Sequence, residues 1–505
     1  MSDFLSGLKT VLNPVHGSGV MTEETRPLES LRGVVLEMSG DLAIQFGEQE
    51  QLVLRGEDNI LPLIETPVKD SRLKIRYKLN TSISTHRHVQ FILTVKELDW
   101  VETTSAGDID VPSVQTSDLT LMTKGSGRID TGKVTVENLR TEQTSSGGIE
   151  IEQADLRLLK AQLSGSGNLQ INNGSAQQVD LRCTSSGAIK APSLLAGTAP
   201  AGVDKIEIIG SGDVELGSLH TAEASLRLTS SGKLTVHELQ TDLVNARISG
   251  SGDLKILAGS ARCQQLDLSS SGKYLAGDLN AGTQPAEESL IKLSGSGSAY
   301  PGELNADRLN IVLSSAGSLI TRRLQCKDLR AELKGSGNVS VEEGQAENVE
   351  VTLTSGGNWT FRQMQPGAEP AEHALVKVSG SGNARMGNLN ARTVELIISS
   401  SGDIRLEALQ AETLLADIKG SGSVHISQGS VPTANIHIFS AGDFMALDLQ
   451  TVTANIRSSG SGEVRLSVQD RMDAVISSAG DVTYRGKPII SYSKDGSGEI
   501  KRAKS

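Results

Sequence analysis

A small-residue triplet ending in glycine recurs along this chain about every 20 residues, from Gly107 to Gly498. Self-similarity at a fixed short period restricts the fold to stacked repeats. The triplet alternates between Gly-Ser-Gly and a Ser-led form, as at Gly125–Gly127 and Ser145–Gly147. Most steps are 20 residues, and three steps of 25 start at Gly187, Gly272 and Gly357. Those three starts are evenly spaced, so the chain reads as tandem copies of an 85-residue, four-coil unit. A second glycine series, Gly174, Gly259, Gly344 and Gly429, keeps the same 85-residue spacing. The triplets hold 31 of the 53 glycines, so the glycine excess is architectural rather than a sign of disorder.

Apolar residues flank each triplet with period two, the strand signature. All twenty positions two residues after the anchor glycine are apolar or aromatic, from Ile109 to Ile500. Four residues before it, fifteen of twenty are apolar, including Leu163, Ile208 and Ile418. The pattern predicts an all-β chain. Its architecture is a right-handed, single-stranded parallel β-helix, a β-solenoid with about 20 residues per coil. Nineteen steps between the twenty anchors, at about 4.8 Å each, give a rod of roughly 90 Å. A 40-residue coil with two triplet corners is the alternative, and it needs a wider core than 2 Trp, 6 Phe and 5 Tyr supply. The corner glycines have two candidate causes: a positive φ, or a backbone turning inward where no Cβ fits.

The pattern divides the chain into four stretches. Residues 1–30 read as a polar leader, and 31–100 as a β region that starts or caps the solenoid. Residues 101–480 hold about nineteen coils in 85-residue super-repeats, and 481–505 form a C-terminal cap and tail. A capped end hides apolar surface and a free strand edge. Tyr484, Pro488 and Tyr492 supply the bulk for such a cap.

The net charge of −12 argues against nucleic acid as a partner, since phosphate binding requires clustered Lys and Arg. No apolar run is long enough for a transmembrane helix. Met1–Val20 has neither a basic start nor an apolar core, so no signal peptide is read there. Cys183, Cys263 and Cys326 are odd in number and scattered, which argues against a disulfide framework.

The entry His16-Gly-Ser-Gly19, Thr22-Glu-Glu-Thr-Arg26, Gly33-Val-Val-Leu36 and Asp58-Asn-Ile-Leu-Pro-Leu-Ile64 resembles that of the bacterial putative auto-transporter adhesin head domain, GIN type. The repeated Gly-Ser-Gly-Asp/Asn corners are similar to that family too. So is the close Tyr484-Arg-Gly-Lys-Pro488 with Gly496-Ser-Gly498. The resemblance covers roughly residues 16–501, in a form lengthened by extra repeats. It implies a right-handed β-helix shaped like pectin lyases but without their catalytic residues, and a role in adhesion at the bacterial envelope or cell surface.

Candidate sites are few. Asp108, Asp110, Asp130 and Glu150 fall in the first coils, where stacking would place carboxylates about 5 Å apart, a weak Ca²⁺ patch. Later coils carry Arg385, Arg405, His425 and Arg465 at the position of Asp110. The residue after the anchor is Asp or Asn in ten coils, which reads as turn chemistry satisfying nearby backbone amides. The 25-residue steps carry Pro200, Pro285 and Pro370 in loops projecting from one edge, candidate binding loops on a rigid scaffold. His86 and His88 lack a third ligand, and Trp359 points inward.

No catalytic constellation, nucleophile elbow or phosphate loop is present. The reading is a non-enzymatic adhesin-like or scaffold protein with no cofactor beyond weak Ca²⁺. Its partner would be a protein or glycan surface. The alternatives are a carbohydrate-active, polysaccharide lyase-like β-helix enzyme and an intracellular scaffold.

Overall fold

A computed structural model describes residues 14–85, 87–198, 202–365 and 369–503. The chain divides into two compact units, Met1–Thr241 and Asp242–Ser505. Both are built mainly from parallel strands, and the one helical segment among the described residues is the 3-10 turn Leu61–Leu63.

In the first unit Ile129–Gln143 pairs in parallel with Ile149–Leu163, residue i facing i+20 over its length. Ile149–Leu163 pairs with Leu169–Cys183 by the same step. In the second unit Ser318–Leu333 and Asn338–Leu353 repeat the arrangement, and Ser298–Leu313 pairs with Ser318–Leu333 by the same step except for an irregularity at Gly302. One triplet step, and not a pair of them, therefore makes one coil. Each coil buries its apolar columns only against its neighbours, so stability accumulates coil by coil.

The burial pattern explains how one long extended segment closes into a coil. Along Ile129–Gln143 the inward positions are 129, 131, 134, 136, 139, 141 and 143. Strict alternation slips twice, at 131–134 and 136–139, and each slip re-aims the chain. The glycine triplet makes the third corner.

The corner glycines do not adopt positive φ. A Cβ on Gly127 would lie 2.0 Å from the carbonyl oxygen of Gly107, and one on Gly337 would lie 2.2 Å from that of Gly317. Close approach of successive corners is thus the cause of this glycine column. The second series differs. Gly174 has φ of 133° and Gly344 of 145°, and their missing Cβ atoms would sit 1.8 Å from Ala154 O and Leu324 O. There both the backbone conformation and the space demand glycine.

The first of the longer steps changes the offset between coils, and the pairing of Ile189–Ala196 with Val214–Leu228 shifts register between Ala191 and Leu195. Gly174 faces Leu194 by the ordinary step, whereas Asp180 faces Lys205 by the longer one. The added residues lie between Ile189–Ala196 and Val203–Ile208.

At the N-terminal side, Met21–Pro27 is a strand despite its polar composition, antiparallel to Gln51–Glu57. That strand is antiparallel to Gln90–Val95, which lies parallel to Asp41–Phe46. Asp41–Phe46 in turn pairs with Asp108–Val111 of the first regular coil. Backbone pairing, which ignores side-chain polarity, draws residues that read as leader into the sheet.

Val482–Gly486 and Ile489–Lys494 form one more coil of the same kind, parallel to Val464–Ile476, and Ile500–Arg502 stacks on Val482–Gly486 as the start of the next. Tyr484 is half-buried there, while Ile489 and Tyr492 are 75% and 64% exposed.

Candidate functional site: the outer columns of the coils

Parallel stacking turns each repeat position into a column. The most regular polar column starts one residue after the anchor glycine. Asp108 Oδ1 accepts the Arg128 amide at 2.8 Å, and Asp213 Oδ1 accepts that of Lys233 at 3.0 Å. In the second unit Asn338, Asn358, Asn383 and Asp403 accept the amides of Asn358, Asn383, Asp403 and Ser423 at 3.2, 3.0, 3.2 and 2.9 Å. Asn168, Asp443 and Asp481 do the same for Ala188, Glu463 and Glu499. The side chain therefore serves the next coil and not its own turn. Asp253 departs from the pattern because it lies in a strand, Asp253–Leu268, and the Lys273 amide goes to the Gly252 carbonyl instead. The Glu499 amide is the main reason the Asp481 carboxyl sits below its ordinary range, and Lys501 adds to it.

Asp110, Asp130 and Glu150 stand in one register column, as sequence spacing indicates. Burial is the largest reason that the Asp130 carboxyl lies above its ordinary range; Arg128 opposes the rise, and Glu150, Asp110 and Asp108 add to it. Arg128 comes within 3.9 Å of Asp130. Asp108 is engaged in the amide ladder. The carboxylates follow the column rather than converge on a point. Among the described residues no group of three or more His, Cys, Asp or Glu side chains is placed to hold a metal.

Arg385, Arg405 and His425 also form a column, facing Thr360 at one end and Met445 at the other. Pro285 and Pro370 are exposed in the connections before Ala286–Leu293 and Ala371–Val378. Pro200 and His86 lie outside the described residues. His88 is exposed, Trp359 is fully buried, and the three cysteines are free.

Sequence reasoning missed a set of buried polar side chains. Thr103, Thr123 and Gln143 occupy the apolar column four residues before the anchor, and all are fully buried. Thr103 Oγ1 donates to the Gly107 carbonyl at 2.8 Å, and Gln143 Nε2 to that of Asn168 at 2.9 Å. Cys183, in the same column, directs its thiol to Gly187 O at 3.1 Å. The interruption of an otherwise apolar column was the available signal. Asp204 is also fully buried, at an inward position in phase with Ile206 and Ile208. Burial pushes its carboxyl up, partly offset by the Val179 amide and the Thr221 hydroxyl.

The model of the putative auto-transporter adhesin, head GIN domain, matches residues 31–199, 197–300, 286–387 and 374–488. The chain belongs to this family. Four successive matches make it a multiple-repeat member of the GIN-domain family, in line with the 85-residue period. A putative adhesin from Bacteroides fragilis is similar at 16% identity and a TM-score of 0.36, over 48% of this chain and 99% of its own. A putative adhesin from Parabacteroides distasonis is similar at 10% identity and a TM-score of 0.23, over 97% of this chain and 100% of its own. A putative lipid binding protein from the same organism is similar at 12% identity and a TM-score of 0.18, over 97% of this chain and 100% of its own. No curated protein matches the chain. Among the described residues no helix of this GIN-domain protein is long and apolar enough to cross a membrane.

Proposed function

We propose that this chain is a non-enzymatic, adhesin-like binding protein of the bacterial envelope. In this reading each unit offers the outward columns of its coils to a protein or glycan surface. The observation that carries the reading is the extension of the adhesin-family match over residues 31–488. The physical support is the rigidity of the outer face. The Asn/Asp ladder ties one coil to the next at the corner, so outward side chains keep fixed spacing and a ligand does not have to order them.

Fractionation of the native cell, with protease shaving of intact cells, tests the location. Envelope or surface protein is the expected result, and strictly cytosolic protein overturns it in favour of an intracellular scaffold. A depolymerisation screen on acidic and neutral polysaccharides, with and without Ca²⁺, tests the non-enzymatic part. Turnover of any of them replaces the binding role with a lyase-like one.

A further inference from the structure

The second unit carries a shallow cleft of about 280 Å³ where the amide ladder meets the basic column. Asn358, Asn383 and Asp403 of the ladder line it together with Arg385 and Arg405. The two arginines occupy facing positions on adjacent strands, about 4.8 Å apart along the stack. Like charges directly opposite each other destabilise a sheet unless something neutralises them.

The neutralisation is uneven. Arg405 Nη2 lies 3.4 Å from Asp403 Oδ2. Arg385 is exposed and forms no ion pair among the described residues. A larger groove of about 390 Å³ in the same unit provides the contrast. Its arginines are already paired, Arg308 with Glu287 at 3.0 Å and Arg330 with Glu332 at 3.3 Å, and His373 lies 3.5 Å from Glu395. The smaller cleft is therefore the one that retains an unspent guanidinium.

The rest of its wall is set up for hydroxyls. Asn358 and Asn383 each use one Nδ2 hydrogen within the ladder, at 2.9 and 3.1 Å. A carboxamide has two such hydrogens, so each keeps one for a ligand. Asp403 spends Oδ1 on the Ser423 amide and remains an acceptor through Oδ2. A donor row followed by an acceptor suits groups that both give and take hydrogen bonds. An oxyanion fits only at the Arg385 end, because Asp403 repels it at the other.

We infer that this cleft binds an acidic polysaccharide, with a sugar carboxylate or sulfate on Arg385 and ring hydroxyls on Asn358, Asn383 and Asp403. The inference rests on the adhesin-like reading and names the ligand class for one face. An acidic peptide would use the guanidinium but leave the amide row without hydroxyl partners.

Calorimetric titration of the full chain with oligogalacturonate, dextran and polyglutamate tests the assignment. The expected result is saturable, salt-sensitive binding of oligogalacturonate alone. Arg385→Gln is expected to weaken it about tenfold, the scale of a charge-assisted hydrogen-bonded contact. Arg308→Gln is expected to leave it unchanged, and thermal melts of both variants report on folding. Equal binding by Arg385→Gln, no binding of oligogalacturonate, or equal binding of dextran or polyglutamate overturns the inference. Surface adhesion that survives Arg385→Gln removes this site and leaves the adhesin-like reading intact. Arg385-dependent binding by a protein confined to the cytosol does the reverse.

Discussion

Asn358 Oδ1 accepts both the backbone amide and the side-chain amide of Asn383, in the next coil, at 3.0 and 3.1 Å. The pair spans one of the long steps, so the corner stack continues unbroken across the coil that carries the insertion. Cross-coil capping at the glycine corner, rather than a local turn, is what the recurrent Asn and Asp supply.

Replacing Asn358 with Ala leaves the corner amide of Asn383 without its acceptor. The expected cost is about 1 kcal/mol, and hydrogen exchange should show faster exchange at the Asn383 amide. Unchanged protection there would mean that water replaces the side chain without loss.

Two glycines at successive corners should behave oppositely. At Gly127 an added Cβ meets the Gly107 carbonyl oxygen at 2.0 Å, while at Gly148 the nearest atom is Arg128 Cγ at 3.4 Å. Gly127→Ala should lose about 3 kcal/mol or more through backbone displacement. Gly148→Ala should stay within about 0.5 kcal/mol. Urea denaturation of the two variants gives the comparison, and equal midpoints would refute the close-approach account of the corners.

Asp204 sets a pH dependence. Its carboxyl is raised by burial, so the folded state holds the proton more tightly than the unfolded chain. Stability contributed by this group then falls as pH rises from the unfolded value, near 4, to the raised folded value, and the penalty is complete above it. Asp204→Asn should flatten that slope and raise Tm near neutral pH by about 2 °C. An Asn at this position can still accept the Val179 amide, which donates to Asp204 Oδ1 at 2.5 Å. A lower Tm for the variant at neutral pH, with the slope intact, would show that the ionised form is well accommodated.

The acidic column offers a milder version of the same test. Asp130 is also raised, first by burial and then by Glu150, Asp110 and Asp108. Asp130→Asn should raise Tm slightly at neutral pH, and more at low salt, because the acidic neighbours of Asp130 are screened by ions. Added Ca²⁺ should leave the wild-type melt unchanged, since the carboxylates stand in a column and do not surround a point. A Ca²⁺-dependent rise that Asp130→Asn abolishes would instead support a cation patch on this column.

Much of the outer face was legible before any coordinates. The Asp110–Asp130–Glu150 and Arg385–Arg405–His425 columns follow directly from the 20-residue step, because parallel stacking converts equal spacing into adjacency. The strand Met21–Pro27 was not legible. Its residues are polar, and its place comes from backbone hydrogen bonds to Gln51–Glu57 that no side-chain pattern encodes. Asp204 lay in plain phase with Ile206 and Ile208, yet a carboxylate at an inward position goes against the usual rule that charges stay outside.

The sequence alone determined the triplet period, the inward columns and the corner positions, while the i to i+20 pairing of the strands decided that one triplet step is one coil. A repeat with period-two apolar residues has one economical way to bury them, which is to stack on itself. Tertiary structure decided why the corners are glycine, where the Asn and Asp side chains go and which arginine is left without a carboxylate. Those depend on distances between coils, such as 2.0 Å from a Gly127 Cβ to Gly107 O, and on distances within one, such as 3.4 Å from Arg405 to Asp403. A repeat period places residues in the same column, but only the packed coils fix the separations on which close approach and charge pairing depend.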